Sequence, residues 1–572
     1  MTEKNIKRLP YGISNFSTIR EENYYYVDKT RFIEQLENAS NPYQFFIRPR
    51  KFGKSLFFSI LDHYYDLNRA KDFERLFGDL YIGRNPTPKR NGYLMMQFDF
   101  SGISTSSEED FKISFSWKVQ DAVLHFISWY RVLFSNHEEL IQKINTENPG
   151  INALLIAYRA AEVAGKQIFI IIDEYDHFAN DLIAMGNRSG EDVYKRLVRA
   201  NGLVRDFYET LKIATKTVLG HIFITGISPV MLDDLTSGFN IAVNLTLDLP
   251  YNEMMGFTQE EVDRLMVETG VDPALINVDM KTYYDGYLFH KDGENRVYNP
   301  SMMLYFFNQI IQTKKTPEYI IDDNLKTDYG RLQRLTQNKR NRDALLQIIK
   351  EEGITATIIR KFSIDNLTDD DYFVSLLFYM GLLTIKGAHL LKVRLGIPNY
   401  SIRTVFWEYI SRLARDTSPL MTINTNALDD AIAAMAMEGD IHRYIEYVSQ
   451  NAFSKLSDRD LQKFDEKYIQ ILLLSYLFQS RIYIPMSEFE ATPGYTDIYL
   501  QRNPLLPQIK YEWILELKYC KTGEEKEVPR KREVGLAQLH QYLQAHRLNE
   551  CPDLKGAVVV FTGKNLFEIT VV

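Results

Sequence analysis

Apolar residues run unbroken through a few short stretches of this chain and recur at helical spacing through much of the remainder. Gln167–Asp176 reads Q-I-F-I-I-I-D-E-Y-D, and Ile168–Ile172 offers no polar position on either face. A strand buried on both sides, as in a parallel sheet, has this pattern. Tyr43–Ile47, Tyr93–Phe100 and the Ile222 region of H-I-F-I-T-G-I-S (His221–Ser228) read the same way. Between them, Leu56–Leu67, 108–165 and 191–217 carry apolar residues at helical spacing. Strands alternating with helices predict an α/β fold with a parallel sheet in residues 1–250.

The pattern then changes twice. In 251–395 helices dominate: Thr258 with Glu261 makes a capping box within Asn252–Thr269, and Tyr283–Phe306 reads as a lid. Leu382–Ile385 and Leu390–Val393 look strand-like with a turn at Gly387, so one form of this connector is a winged helix. In 396–572, helical patterns over Asn426–Glu438 and Lys463–Gln479 precede Ser487–Glu490, Gly494–Leu500 and Glu512–Tyr519, which alternate as strands do. The expectation is thus a parallel-sheet core, a helical lid and connector, and a C-terminal α/β domain.

Composition narrows the class. With 45% hydrophobic and 25% charged residues, every segment can bury a core, and 572 residues suggest roughly three or four domains. A net charge of −8 does not advertise nucleic-acid binding, so any such contact must rest on a local patch. The two cysteines, Cys520 and Cys551, supply neither a disulfide framework nor a zinc site, and a cytoplasmic location is expected. The start M-T-E-K-N-I-K-R-L-P lacks the apolar core of a signal peptide, and there is no apolar run of about 18 residues, so no membrane partner is expected.

Arg48–Ser55, R-P-R-K-F-G-K-S, lies between a strand pattern and a helix pattern, the setting of a phosphate-binding loop. Gly53 would admit a phosphate, Lys54 would reach the β- and γ-phosphates, and Ser55 would hold Mg²⁺. Arg48 stands where the general motif has its first glycine, and a plain strand–turn–helix with solvated basic residues fits the same letters. Asp173 and Glu174 close the Ile168–Ile172 run. At the C-terminal end of a parallel strand, Asp173 suits the Mg²⁺ shell and Glu174 suits polarising an attacking water. Thr225 or Ser228, at the end of the next strand, could sense the γ-phosphate or simply make a turn. Arg196, Arg199 and Arg205 are candidates for a charge-stabilising arginine, with nothing to select among them.

A second constellation lies near the C-terminus. In W-I-L-E-L-K, Glu516 and Lys518 share one strand face, with Leu515 and Leu517 on the other. Asp497, nineteen positions earlier, opens D-I-Y-L and a hairpin could bring it alongside. Two carboxylates and a lysine suit Mg²⁺-assisted hydrolysis of a phosphodiester, Lys518 orienting the water or stabilising charge, although an edge hairpin with solvated charges has the same spacing. Glu466 and Glu488 are further carboxylate candidates. Lys526, Arg530, Lys531 and Arg532 could approach a phosphate backbone, but interspersed glutamates also fit a solvated loop.

R-P-R-K-F-G-K-S, I-I-I-D-E-Y-D, I-T-G-I-S and Y-N-P-S resemble the predicted AAA-ATPase-like family of bacterial proteins, whose ATPase is joined to a C-terminal domain of the PD-(D/E)XK nuclease superfamily. Asp497, Glu516 and Lys518 match that superfamily's D…E-x-K. Glu466 sits where it often has a helical glutamate, and Gln538 matches a glutamine on the helix after the catalytic strand. The resemblance implies a P-loop AAA-like ATPase core over 1–250, a lid and connector over 251–395, and a restriction-endonuclease-like domain over 396–572. ATP would be bound by Arg48, Gly53, Lys54, Ser55, Asp173 and Thr225, with Glu174 catalytic. Mg²⁺ would lie at Ser55 and Asp173 and again at Asp497, Glu516 and Glu466, and Asp497, Glu516 and Lys518 would carry the nuclease chemistry. The implied partner is nucleic acid, DNA ahead of RNA, with a homo-oligomer compatible and a role in DNA processing or defence. The alternative is a nucleotide-dependent switch or protein-interaction regulator whose nuclease-like domain binds without cutting.

Overall fold

The computed structural model describes residues 6–146, 150–184, 188–199, 202–234, 238–317, 320–322, 339–362, 370–417, 424–455, 465–491, 494–521, 523–544, 553–563 and 566–572. They form two compact units, 1–400 and 401–572. Residues 251–395, expected as a separate lid and connector, fall within the first unit.

The first unit is built on a five-stranded parallel sheet: β1 (Tyr43–Ile47), β2 (Leu94–Asp99), β3 (Ile168–Asp173), β4 (Leu219–Gly226) and the short β5 (Val243–Asn244), in the order β2-β3-β4-β1-β5. All six residues of β3 are buried, as the unbroken apolar run requires in a sheet covered on both faces. The order places β4 between β1 and β3, and the C-terminal ends of all three come out on one edge. Register puts Phe46 beside Thr225, Ile172 beside Ile224, and Asp99 beside Asp173. The loop after β1 leads into helix α1 (Lys54–Tyr65), and a longer helix, α2 (Glu108–Trp129), follows β2.

Beyond the sheet, helix α3 (Gln259–Thr269) starts with both hydrogen bonds of the Thr258–Glu261 capping box. Later, helix α4 (Lys339–Lys350), strand β6 (Ile354–Ala356), helix α5 (Asp370–Tyr379) and the hairpin of β7 (Thr384–His389) and β8 (Lys392–Gly396) follow in turn. Strand β8 lies between β6 and β7, all antiparallel, which is the topology of a winged helix with β7–β8 as the wing. The turn expected at Gly387 is elsewhere. Gly387 lies inside β7 at a register irregularity, and the chain reverses at Leu390–Leu391. A glycine within a strand marked a bulge rather than a turn.

Arg48 also departs from expectation. Its guanidinium is buried beneath the loop: Nη1 donates to the carbonyls of Ile47 (3.0 Å) and Thr246 (2.8 Å), and Nη2 to that of Tyr251 (2.8 Å). The rings of Phe46 and Phe289 cover it, 4.2 and 3.9 Å from the guanidinium carbon. The side chain is therefore a brace and not a cofactor contact. Burial lowers its pKa to about 9, which still leaves it charged at neutral pH.

The second unit carries a mixed sheet of β9 (Tyr483–Ala491), β10 (Gly494–Arg502), β11 (Glu512–Cys520), β12 (Leu554–Thr562) and β13 (Leu566–Val571), in the order β13-β12-β11-β10-β9. Only β11 and β12 are parallel, and they are joined by a crossover containing helix α7 (Val528–Leu543); helix α6 (Glu466–Leu477) precedes β9. A methyl group at Gly535 of α7 would come 2.7 Å from Val558 Cγ1 and 3.6 Å from Glu516 Cγ, so glycine lets the helix lie close over that part of β11. Among the described residues, no helix is long and apolar enough to cross a membrane.

Replacing Arg48 strands three buried carbonyls from separate parts of the chain. Arg48→Ala is expected to lower stability by on the order of 3 kcal/mol in urea unfolding of the intact chain. An unchanged midpoint would remove the brace from the account.

Candidate functional site

The loop after β1 is shaped by two left-handed residues, Lys51 (φ 65°) and Gly53 (φ 92°), on either side of Phe52. Glycine adopts this conformation readily, whereas at Lys51 it carries backbone strain. Phe52 is buried, edge-on to Tyr287 and Phe289 at 5.0 and 5.6 Å, and this anchors the loop's centre. Gly53 leads into α1, so the first backbone N–H groups of that helix open at the loop's mouth. Lys54 is buried, its Nζ donating to the carbonyls of Arg48 (3.0 Å) and Pro49 (3.1 Å).

The groups expected to share Mg²⁺ meet directly: Ser55 Oγ donates to Asp173 Oδ2 at 3.0 Å. Asp173 Oδ1 accepts the Glu174 N–H at 2.9 Å. Burial raises the pKa of Asp173, opposed by the Lys54 charge and the Ser55 hydrogen bond. Glu174 sits at φ 51°, strained for a non-glycine residue. Its carboxyl is likewise pushed up by burial, against the pull of Lys54. Glu174 Oε2 is buried without a hydrogen-bond partner, and His177 Nδ1 is 3.9 Å away. Of the two hydroxyls considered on the next strand, Thr225 Oγ1 is buried and unpartnered at the end of β4. Ser228 Oγ donates to Asp176 Oδ2 at 2.9 Å and lies 3.1 Å from Asn180 Oδ1, inside a structural network. Arg196, Arg199 and Arg205 are each engaged within the chain, with Glu108, Asp234 and Glu209 at 2.6–2.7 Å.

Lys54, Ser55 and Glu174 line a cavity of about 510 Å³, within the range for a small-molecule site. One wall is Arg50–Ser55 and Glu174; another is Tyr25, Tyr26 and Val27 with Met254 and Met255. In the sequence, Tyr24–Tyr26 reads as an aromatic cluster that could pack near a nucleotide base or serve a structural role, and Tyr25 and Tyr26 line this wall. Two further residues were missed. Asn299 caps the helix Pro300–Thr313 and donates to the Arg50 carbonyl at 3.4 Å, and Ser301 Oγ donates to the Lys51 carbonyl at 3.3 Å. The Y-N-P-S letters were visible, but not that they hold the loop from the start of this helix.

In the second unit, Asp497, Glu516 and Lys518 converge. The β10–β11 register ends at Ile498 opposite Leu515, and one step further sets Asp497 across from Glu516. There Asp497 Oδ2 accepts the Leu517 N–H at 2.7 Å, and its carbonyl accepts from Gln470. Glu516 is buried; its Oε1 accepts from Lys518 Nζ at 2.6 Å, while its Oε2 is buried without a hydrogen-bond partner. Burial, then the Asp497 charge, raises the Glu516 pKa to about 7 despite Lys518. Burial works against the Lys518 charge, but the carboxylates of Glu516, Asp497 and Glu466 leave its pKa raised. Glu466, at the start of α6, accepts the Tyr519 N–H at 3.1 Å. Gln538, on the face of α7 that carries Gly535, has a buried Oε1 with no hydrogen-bond partner. In the basic cluster, Arg530 and Arg532 pair with Glu527 and Glu568, and Lys531 donates to the Tyr519 carbonyl. Cys551 and the Glu488 side chain lie outside the described residues.

Comparison with known proteins places both segments. Residues 10–236 match the family described as predicted AAA-ATPase, and residues 464–570 match the PD-(D/E)XK nuclease superfamily. An uncharacterized protein from the vnfD 5′ region of Azotobacter chroococcum mcd 1 is 26% identical over 403 residues, covering 69% of this chain and 68% of that one. Among solved structures, the Walker-type ATPase PABY2304 of Pyrococcus abyssi aligns at 14% identity and a TM-score of 0.34, over 71% of this chain and 99% of its own. The Aeropyrum pernix ORC1 protein in complex with DNA aligns at 9% and 0.26, over 69% and 96%. By the two family matches, the N-terminal segment is ATPase-like and the C-terminal segment is of the nuclease-superfamily type.

Proposed function

We propose that the first unit binds and hydrolyses ATP with Mg²⁺, and that the second is a metal-dependent nuclease governed by that nucleotide cycle. The carrying observation is the Ser55–Asp173 contact at the mouth of the loop, with the unpartnered Glu174 carboxylate beside it. In this reading Lys54 and the N–H groups of α1 hold the phosphates, and Ser55 and Asp173 supply oxygen donors to Mg²⁺. Glu174, with its raised pKa and open lone pair, takes the proton of the attacking water. Thr225 offers a hydroxyl at the strand end between loop and base. Tyr25 and Tyr26 give the nucleoside an apolar and aromatic wall.

In the second unit, the oxygens of Asp497 and Glu516 suit a hard divalent cation, with Glu466 at the rim. The unpartnered Glu516 Oε2 and the raised Glu516 pKa support that fit, since a cation would relieve both. Bound there, Mg²⁺ would supply Lewis-acid polarisation of the phosphodiester and acidify a water. Lys518, held by Glu516, would present its charge to the scissile phosphate. The proposed substrate is DNA before RNA, and the proposed setting is DNA processing or defence in the bacterial cytoplasm.

Lys54→Ala should weaken binding of a non-hydrolysable ATP analogue by about 10–100-fold in isothermal titration, through loss of a charged phosphate contact. Glu174→Gln should still bind ATP but hydrolyse it about 10²–10⁴-fold more slowly; turnover at the wild-type rate would place the base elsewhere.

For nuclease action, Asp497→Ala should abolish Mg²⁺-dependent cutting across a panel of DNA and RNA substrates while leaving ATP hydrolysis intact. Lys518→Ala should keep metal affinity and lose rate. Wild-type cutting by Asp497→Ala in a contaminant-free preparation would end this reading, and a wild type that never cuts would leave the binding-only alternative.

The second site should also respond to pH. The fold raises the Glu516 pKa from 4.5 to about 7, so it favours the protonated form. Stability from this group is complete below about pH 4.5 and is lost as pH rises through about 7. Thermal unfolding of metal-free protein should show that decline, and Glu516→Gln should flatten it. The same slope in the variant would mean that another group titrates there.

A further inference from the structure

Two features of the first unit lie outside both sites. The first is the tip of the β7–β8 wing. Leu390 and Leu391, the two residues between paired His389 and Lys392, are 93% and 99% exposed. Leu390 has φ 53°, where a two-residue hairpin loop ordinarily places Gly, Asn or Asp. A leucine here neither eases the turn nor reaches the core. The hairpin Thr384–Gly396 contains Lys386, His389, Lys392 and Arg394 and no acidic residue. It therefore ends in an apolar point on a basic stem.

The second feature is an open groove of about 740 Å³ between α2 and the helix Leu203–Ala214. Its apolar lining includes Ile113, Trp117 and Ile213, which are 61–66% exposed although large and hydrophobic. Asp206 and Glu209 also line it, and its lining includes no lysine or arginine. Arg205 pairs with Glu209, which leaves Asp206 as the groove's surplus negative charge. Burial and the neighbouring Glu209 disfavour that charge more than Arg205 supports it, so a further cation would be favourable.

We propose that the Leu390–Leu391 tip of one copy of this chain docks in the Ile113–Trp117–Ile213 groove of a second copy, with Lys392 set against Asp206. The two surfaces match in kind: two exposed leucines for an exposed apolar trough, and a basic stem for an acidic rim. Tip and groove are different surfaces of one chain, so the contact is heterologous. It propagates head to tail and closes into a ring if the rotation permits. An apolar contact of two side chains gives modest affinity, because association itself is costly. Self-association is therefore expected on the order of 10–100 µM and weakens with salt as the charge pair is screened.

A mixing experiment with the full chain separates this from every other partner. A tip variant, Leu390→Asn with Leu391→Asp, and a groove variant, Trp117→Asp, alter exposed side chains only and should fold as the wild type does. In sedimentation velocity, wild type should form concentration-dependent oligomers, and each variant alone should be about tenfold or more weaker in self-association. The two variants mixed should form a dimer and nothing larger, because one intact tip meets one intact groove. Lys392→Glu should weaken assembly, and adding Asp206→Lys in the same chain should restore it. Wild type that stays monomeric throughout this range overturns the proposal, as does a mixture that assembles no better than its parts. Leucine-dependent binding of a monomer to anionic vesicles or duplex DNA would also overturn it, giving the tip to lipid or nucleic acid.

Discussion

A guanidinium buried without a carboxylate governs the geometry of the first unit. Arg48 leaves β1 and turns inward, and its donors meet carbonyls of Ile47, Thr246 and Tyr251 between the faces of Phe46 and Phe289. Those partners come from the first strand, from the chain just beyond the last strand of the sheet, and from the short helix Leu249–Tyr251 that follows. A neutral side chain could not satisfy three separated acceptors, and a carboxylate partner would cancel the charge that draws them together. The loop above inherits its position from this arrangement. Its backbone is then held from the other side by Asn299 and Ser301, and its centre by Phe52 against Tyr287 and Phe289. The start of the helix Pro300–Thr313 and the Tyr287–Phe289 segment are thus part of the loop's support.

How much of this could be read in advance depended on the range of the interaction. The strands were legible because burial on both faces forces an unbroken apolar run, and Ile168–Ile172 is one. The pairing of Ser55 with Asp173 was legible because a hydroxyl after a loop glycine and a carboxylate at a strand end have few other common purposes. Arg48 was not, since its role depends on Thr246, Tyr251 and Phe289, some two hundred residues away. The wing was misread for a local reason. Glycine marks both turns and bulges, and Gly387 is a bulge, while the real turn uses two leucines that no turn preference would select. In the second unit, E-x-K placed Glu516 and Lys518 on one face by strand period alone. That α7 would lie over Glu516 depended on Gly535, whose letter gave no such hint.

The two sites use one physical device with opposite electrostatic outcomes. Each sets carboxylates on a sheet near a lysine, buried at Lys54 and half-buried at Lys518, and in each, desolvation pushes a carboxyl above its ordinary range. In the first unit Lys54 is held by carbonyls of its own loop, so no carboxylate is hydrogen-bonded to its ammonium. Its charge, with the N–H groups of α1, remains available to an anion, and the Glu174 carboxylate is left with an open lone pair. In the second unit Lys518 is already bonded to Glu516, and Asp497 and Glu466 add negative charge around the pair. One ammonium faces three carboxyl groups there. The first site is therefore poised for a phosphate. The second favours a cation, and the polyanionic substrate it would cut becomes tolerable only after that cation has offset the carboxylates. If the proposed chemistry holds, this charge balance would set metal before substrate in the second unit, whereas in the first the loop could receive phosphate and metal together.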